Sequence, residues 1–163
     1  MTTNPILLTY LRQSDDYIHL PAIVEAAESS PRAAKEAVSL IRGYLAKPSK
    51  PQGHSQYNAV MLIRILVDHP GASFTRNFDT KFVNTIKTFL REGRDMNAQA
   101  MLRETLHAFE VQRQWDESLK ELLAMWRREN ERSKKSGTQT FVCHLYLYFM
   151  EQKGFCYLTE CTS

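Results

Sequence analysis

Residues 54–130 read HSQYNAVMLIRILVDHPGASFTRNFDTKFVNTIKTFLREGRDMNAQAMLRETLHAFEVQRQWDESLKELLAMWRREN, and their apolar periodicity decides the fold. Hydrophobic residues recur at helical spacing through four successive segments with short breaks. In the first, Ala59, Val60, Met61, Leu62, Ile63, Ile65, Leu66 and Val67 cover most of the circumference of a helix over Ser55–Asp68. A helix apolar on nearly all sides is central, with neighbours around it. Pro70-Gly71 stops it, and a short helical turn is expected over Ala72–Phe78. Asp79 then caps a helix with Phe82, Val83, Ile86, Phe89 and Leu90 inward, ended by Gly93. Asp95 caps another, with Leu102, Leu106 and Phe109 inward. The last runs from about Trp115 to Arg132 on a stripe of Leu119, Leu122, Leu123 and Trp126.

Working back towards the N-terminus, Asn4-Pro5 is a cap followed by proline at a first helical position, and a short helix through Ile6–Leu11 follows. The next helix starts near Asp15–Asp16 or at Pro21 and runs to about Glu28. Ser30-Pro31 repeats the cap-plus-proline signal before a helix with Ala34, Ala37, Val38, Ile41 and Leu45 on one face. Pro48-Ser49-Lys50-Pro51-Gln52-Gly53 breaks it. No strand-like alternation precedes residue 137, and loops of about three to eight residues are normal between packed helices. The fold expected is an all-α, solenoid-like stack of helices without an exact sequence repeat.

Beyond this body the composition changes. Ser133-Lys134-Lys135-Ser136-Gly137 reads as a polar linker, and TFVCHLYLYFM at 140–150 is apolar and aromatic without helical period. The shift at Gly137 predicts that 133–163 is a linker and an atypical tail foreign to the domain. The other reading is a C-terminal strand or helix packed on the body.

The bulk numbers fit one domain of 163 residues with a sizeable core. A net charge of +3 permits an acidic peptide or an anionic membrane surface as partner. It is too small for the dense basic footprint of nucleic-acid binding. No run reaches the roughly 18 apolar residues of a membrane span, and the N-terminus lacks the pattern of a secretory signal. All three cysteines, Cys143, Cys156 and Cys161, sit in the tail, which favours a reducing, cytoplasmic setting. With His144 they match no common zinc spacing, so no metal site is expected. His19, His54, His69 and His107 are scattered, and no nucleophile elbow or phosphate loop occurs. The reading is therefore a non-enzymatic binding module without cofactor.

Four stretches resemble a known family. Asp16-Tyr17 followed by Ala22-Ile23-Val24-Glu25, Arg32–Val38, Gln56–Ile63 through His69-Pro70-Gly71 and Phe74, and Leu122–Trp126 are similar to the VHS domain over residues 4–132. VHS domains belong to the ENTH/VHS superfamily and open endosomal sorting adaptors. Fungal proteins in which a VHS domain precedes a GAT domain, linked to endocytosis and cortical actin patches, look most similar. The resemblance implies a right-handed superhelix of about seven to eight helices. It implies recognition of sorting-signal peptides or ubiquitin, phosphoinositide binding, and a place at endosome or Golgi membranes or at the cell cortex. Three positions depart from the family pattern. Tyr17 stands where the family has tryptophan, Pro21 where a leucine completes the ubiquitin patch, and His69-Pro70 where Asn-Cys precedes the glycine.

The candidate partner-binding residues follow from this. Tyr17 and Leu20 fall in the ubiquitin patch that the resemblance implies. Lys81, Lys87 and Arg91 on one helix, with Lys120, Arg127 and Arg128 on the last, would border the family's groove for acidic dileucine peptides. A basic rim attracts carboxylates while apolar slots take the leucines. Their plainer role is a solvated helix face interleaved with Asp116, Glu117, Glu121 and Glu129. Tyr17, Trp115 and Trp126 could anchor partners as aromatic hot spots; Trp126 is expected in the core, Trp115 is balanced between core and anchor, and Tyr17 is the exposed anchor. A related superhelix that reads phosphorylated polymerase tails in RNA processing is the alternative from another class.

Overall fold

The computed structural model describes residues 5–12, 17–47 and 54–135. Among them the chain forms eight α-helices, two single-turn 3-10 segments and no strand. The helices are α1 Pro5–Arg12, α2 Leu20–Ser29, α3 Pro31–Leu45, α4 Ser55–Asp68, α5 Ala72–Thr75, α6 Thr80–Glu92, α7 Met96–Gln112 and α8 Lys120–Lys135. The all-α expectation holds. Asn4, Asp15–Asp16, the 48–53 breaker and the tail from residue 136 lie outside the described residues, as do Cys143, His144, Cys156 and Cys161.

Local chemistry sets most boundaries. Ser30 is extended, and its hydroxyl accepts from the Ala33 amide while Pro31 opens α3. Asp79 Oδ1 accepts from the Phe82 amide at 2.7 Å. Asp95 Oδ1 accepts from both Asn97 and Ala98 amides at 3.0 Å. Each carboxylate sits where the helix dipole favours negative charge. Gly71, between α4 and α5, has φ 67, a region that costs a side chain strain.

α2 starts at Leu20, which puts Pro21 in its first turn as the second of the two expected starts has it, and a 3-10 turn at Tyr17–His19 leads in. Three boundaries differ from expectation. α5 stops at Thr75 rather than reaching Phe78. The Asn77 side-chain amide donates to the Ser73 and Phe74 carbonyls and closes the helix there. The final helical segment does not begin at Trp115. Asp116 caps a 3-10 turn at Glu117–Leu119 by accepting from the Ser118 amide, and α8 follows. Finally, α8 continues through Lys135, past the linker expected at Ser133. Arg132, Lys134 and Lys135 place positive charge at the negative end of its dipole.

The chain divides into two compact units, with the boundary after Arg127 within α8. The core of the first is built round α4, which packs against α1, α2, α3, α5 and α7. Ala59, Val60, Leu62, Ile63, Leu66 and Val67 are all buried there. The expected inward residues of α3, α6 and α7 are buried as well, with Leu119, Leu122, Leu123 and Trp126. Polar groups also enter this core. Asn58 Nδ2 donates to the Tyr10 carbonyl at 3.0 Å and ties α4 to the end of α1. Gln56 Nε2 donates to the Lys47 carbonyl at 3.1 Å and ties α4 to the chain leaving α3. Outside the core, the part-exposed Arg64 Nη1 donates to Glu104 Oε1 at 3.0 Å across the α4–α7 contact. Buried polar side chains that satisfy distant carbonyls fix how helices meet, because a slip leaves a donor unpaired.

Candidate functional site

At the start of α2, Tyr17 opens the 3-10 turn; its side chain lies outside the described residues. Leu20 is half-buried and packs against the edge of the core. Ile18 is 75% exposed, and Pro21 and Ala22 are exposed beside it in sequence. A short apolar edge therefore faces outward where the chain enters α2.

On α6, Lys81 and Arg91 are exposed and Lys87 is half-buried. At about 100° per residue, Lys87 and Arg91 share a face and Lys81 sits roughly 120° away from Lys87. The three do not form a single row. On α8, Lys120 Nζ lies 3.4 Å from Glu117 Oε2 in an exposed ion pair. Arg127 Nε donates to Glu110 Oε1 at 2.9 Å, while Trp126 Nε1 donates to the other oxygen, Glu110 Oε2, at 3.0 Å. Arg128 is exposed. Lys120 and Arg127 thus already face carboxylates of the chain itself.

A second cationic grouping was not among the sequence-derived candidates. A depression of about 330 Å³ lies between α3 and the turn joining α5 to α6. Lys35, Ser39 and Arg42 line it from α3, and Arg76, Phe78 and Asp79 from the turn. Lys35, Ser39 and Arg42 follow one another at i, i+4 and i+7, which places them on one helical stripe. Arg76 Nε donates to the Ser73 carbonyl at 3.4 Å, which leaves its terminal nitrogens for other partners. Arg42 Nη1 lies 3.7 Å from Asp79 Oδ2, at the long end of an ion-pair distance, with both groups substantially exposed. Lys35 and Arg76 have no ion-pair partner among the described residues. Phe78 stacks on Phe82, with ring centroids 4.3 Å apart, and so is anchored at the wall of the depression. The spacing on α3 was visible in the sequence. Arg76 was not, because only tertiary packing of α5 and α6 on α3 brings it there.

Trp115 is 70% exposed, with the Arg113 guanidinium carbon 5.4 Å from its ring centroid. Arg113 also donates to Asp68 Oδ1 at 2.6 Å. Trp126 is 3% exposed, as expected of a core residue. Among the described residues no three metal-ligating side chains converge, and no helix is long and apolar enough to cross a membrane. Comparison with family models, with curated proteins and with solved structures finds no match for the chain.

Proposed function

We propose that this chain is a non-enzymatic adaptor module of vesicle trafficking or endocytosis that recruits cargo by binding ubiquitin or short sorting peptides. The right-handed superhelix implied by the resemblance belongs to the same reading, as does a place at endosomal, Golgi or cortical membranes. The observation that carries it is the exposed apolar edge at the start of α2, where Ile18 projects beside Leu20, Pro21 and Ala22. Exposed apolar residues at a fixed helix start offer a small hydrophobic contact, the kind that dominates the energetics of compact protein interfaces. Support from the rest of the molecule is that α2 is held in place by α1, α3 and α4, so the edge is presented by a packed scaffold.

Calorimetric and chemical-shift titrations with ubiquitin and with acidic dileucine peptides test the reading. Ubiquitin is expected to shift amides of residues 17–20 and 22–25, and Ile18→Asp to weaken binding by about tenfold, in line with loss of an interface anchor. No response to either ligand would remove both from consideration.

A further inference from the structure

We propose that the depression between α3 and the α5–α6 turn binds a phosphomonoester carried on a side chain of a partner protein. The inference rests on the reading of the chain as a binding module but on neither ubiquitin nor dileucine peptides. Its failure would leave those titrations standing.

Charge sets the class of ligand. Three cations, Lys35, Arg42 and Arg76, line the depression against one carboxylate, Asp79. A phosphomonoester carries about −1.5 to −2 charge at pH 7 and presents three strong acceptor oxygens. It matches the surplus positive charge and can engage donors arriving from two elements at once. Guanidinium groups suit it because their planar forks meet phosphate oxygens in pairs. A lone carboxylate fits less well, because Asp79 already stands beside Arg42 and is held there by its own helix cap.

Availability points the same way. Among the described residues the Arg42 guanidinium is engaged only by a long, exposed contact of 3.7 Å, the kind that contributes little and yields readily. Ser39 adds an exposed hydroxyl on the same stripe, and the Phe78 ring supplies an apolar wall for the carbon chain bearing the phosphate. The site is one compact depression. Nucleic acid would call for cations repeated along a track, and a membrane surface for a cluster of four or more.

The test is a titration of the full ¹⁵N-labelled chain with a short neutral peptide bearing one phosphoserine. The comparison ligands are its unphosphorylated counterpart, inorganic phosphate, and phosphatidylserine vesicles. The phosphopeptide is expected to shift the amides of Ser39, Arg42 and residues 76–79. Lys35→Glu and the double variant Arg42→Ala/Arg76→Ala are expected to weaken it by about tenfold or more, as loss of charge-assisted hydrogen bonds requires. Asp79→Asn keeps a side chain able to cap α6 and removes the competing charge, so it should tighten binding by about threefold or more. A purely structural role for these residues would not produce that gain. Shifts elsewhere or none, equal binding of the serine peptide, or no change in the charge variants would overturn the proposal. Inorganic phosphate binding as tightly as the phosphopeptide would replace it with a free-phosphate site. Vesicle binding through the same residues without a peptide response would replace it with a membrane contact.

Discussion

Two tryptophans 11 residues apart show how much a single side chain depends on where its neighbours put it. Trp126 is buried, and its indole N–H is satisfied by Glu110 Oε2. Trp115 stands in solvent beside Arg113. Trp126→Ala is expected to cost about 3–5 kcal/mol, from lost packing and a cavity. Trp115→Ala should stay within about 1 kcal/mol, the scale of an exposed cation–π contact. Urea denaturation of the two variants separates them. Trp126 was legible in the sequence because it continues the Leu119–Leu122–Leu123 stripe. Trp115 was not, because the residue that decides its fate is its neighbour: Asp116 turns its carboxylate back to the Ser118 amide and to the Thr75 hydroxyl. The polar core residues were equally hidden. Nothing near Asn58 in sequence announces that its partner is the carbonyl of Tyr10.

At the scale of elements, caps carried most of what sequence could tell. Ser30, Asp79 and Asp95 were expected to start helices and do so by accepting backbone amides. Asp95 serves two amides with one oxygen, so Asp95→Ala should destabilise the chain by about 1 kcal/mol, with Asp95→Asn recovering most of the loss. Chemical denaturation midpoints of the two variants check this. Where helix ends depend on side chains reaching back across a turn, the sequence was less informative. The stop of α5 is made by Asn77, and the unexpected length of α8 follows from the basic residues that close it. The cationic depression shows the same limit on the functional side. Lys35 and Arg42 share a readable helical stripe, but their convergence with Arg76 is a product of helix packing.

For the first compact unit as a whole, α4 is the element on which the others depend. It meets five helices, and its buried Asn58 and Gln56 and part-exposed Arg64 are tied to α1, to the chain leaving α3 and to α7. Opening α4 to solvent therefore requires those contacts to fail together. Hydrogen exchange should show the slowest amides in Leu62–Val67, at the free energy of global unfolding, and faster exchange in α1, which meets fewer elements. Uniform protection across α1 and α4 would contradict that hierarchy. The all-α character and the central place of this helix were legible because periodicity reports burial. The arrangement of surface charges was not, because a charged residue obeys the same period whether it faces water or a neighbour.

Glu110 gives this molecule a property that no tally of basic residues conveys. Its two oxygens hold Trp126 and Arg127 at once. As a carboxylate fixed within the same chain, it stands against Arg127 before any ligand does. Arg127 lies midway along α8 and is half exposed, so the pair itself contributes little, and an acidic group arriving there exchanges one carboxylate for another rather than meeting a bare cation.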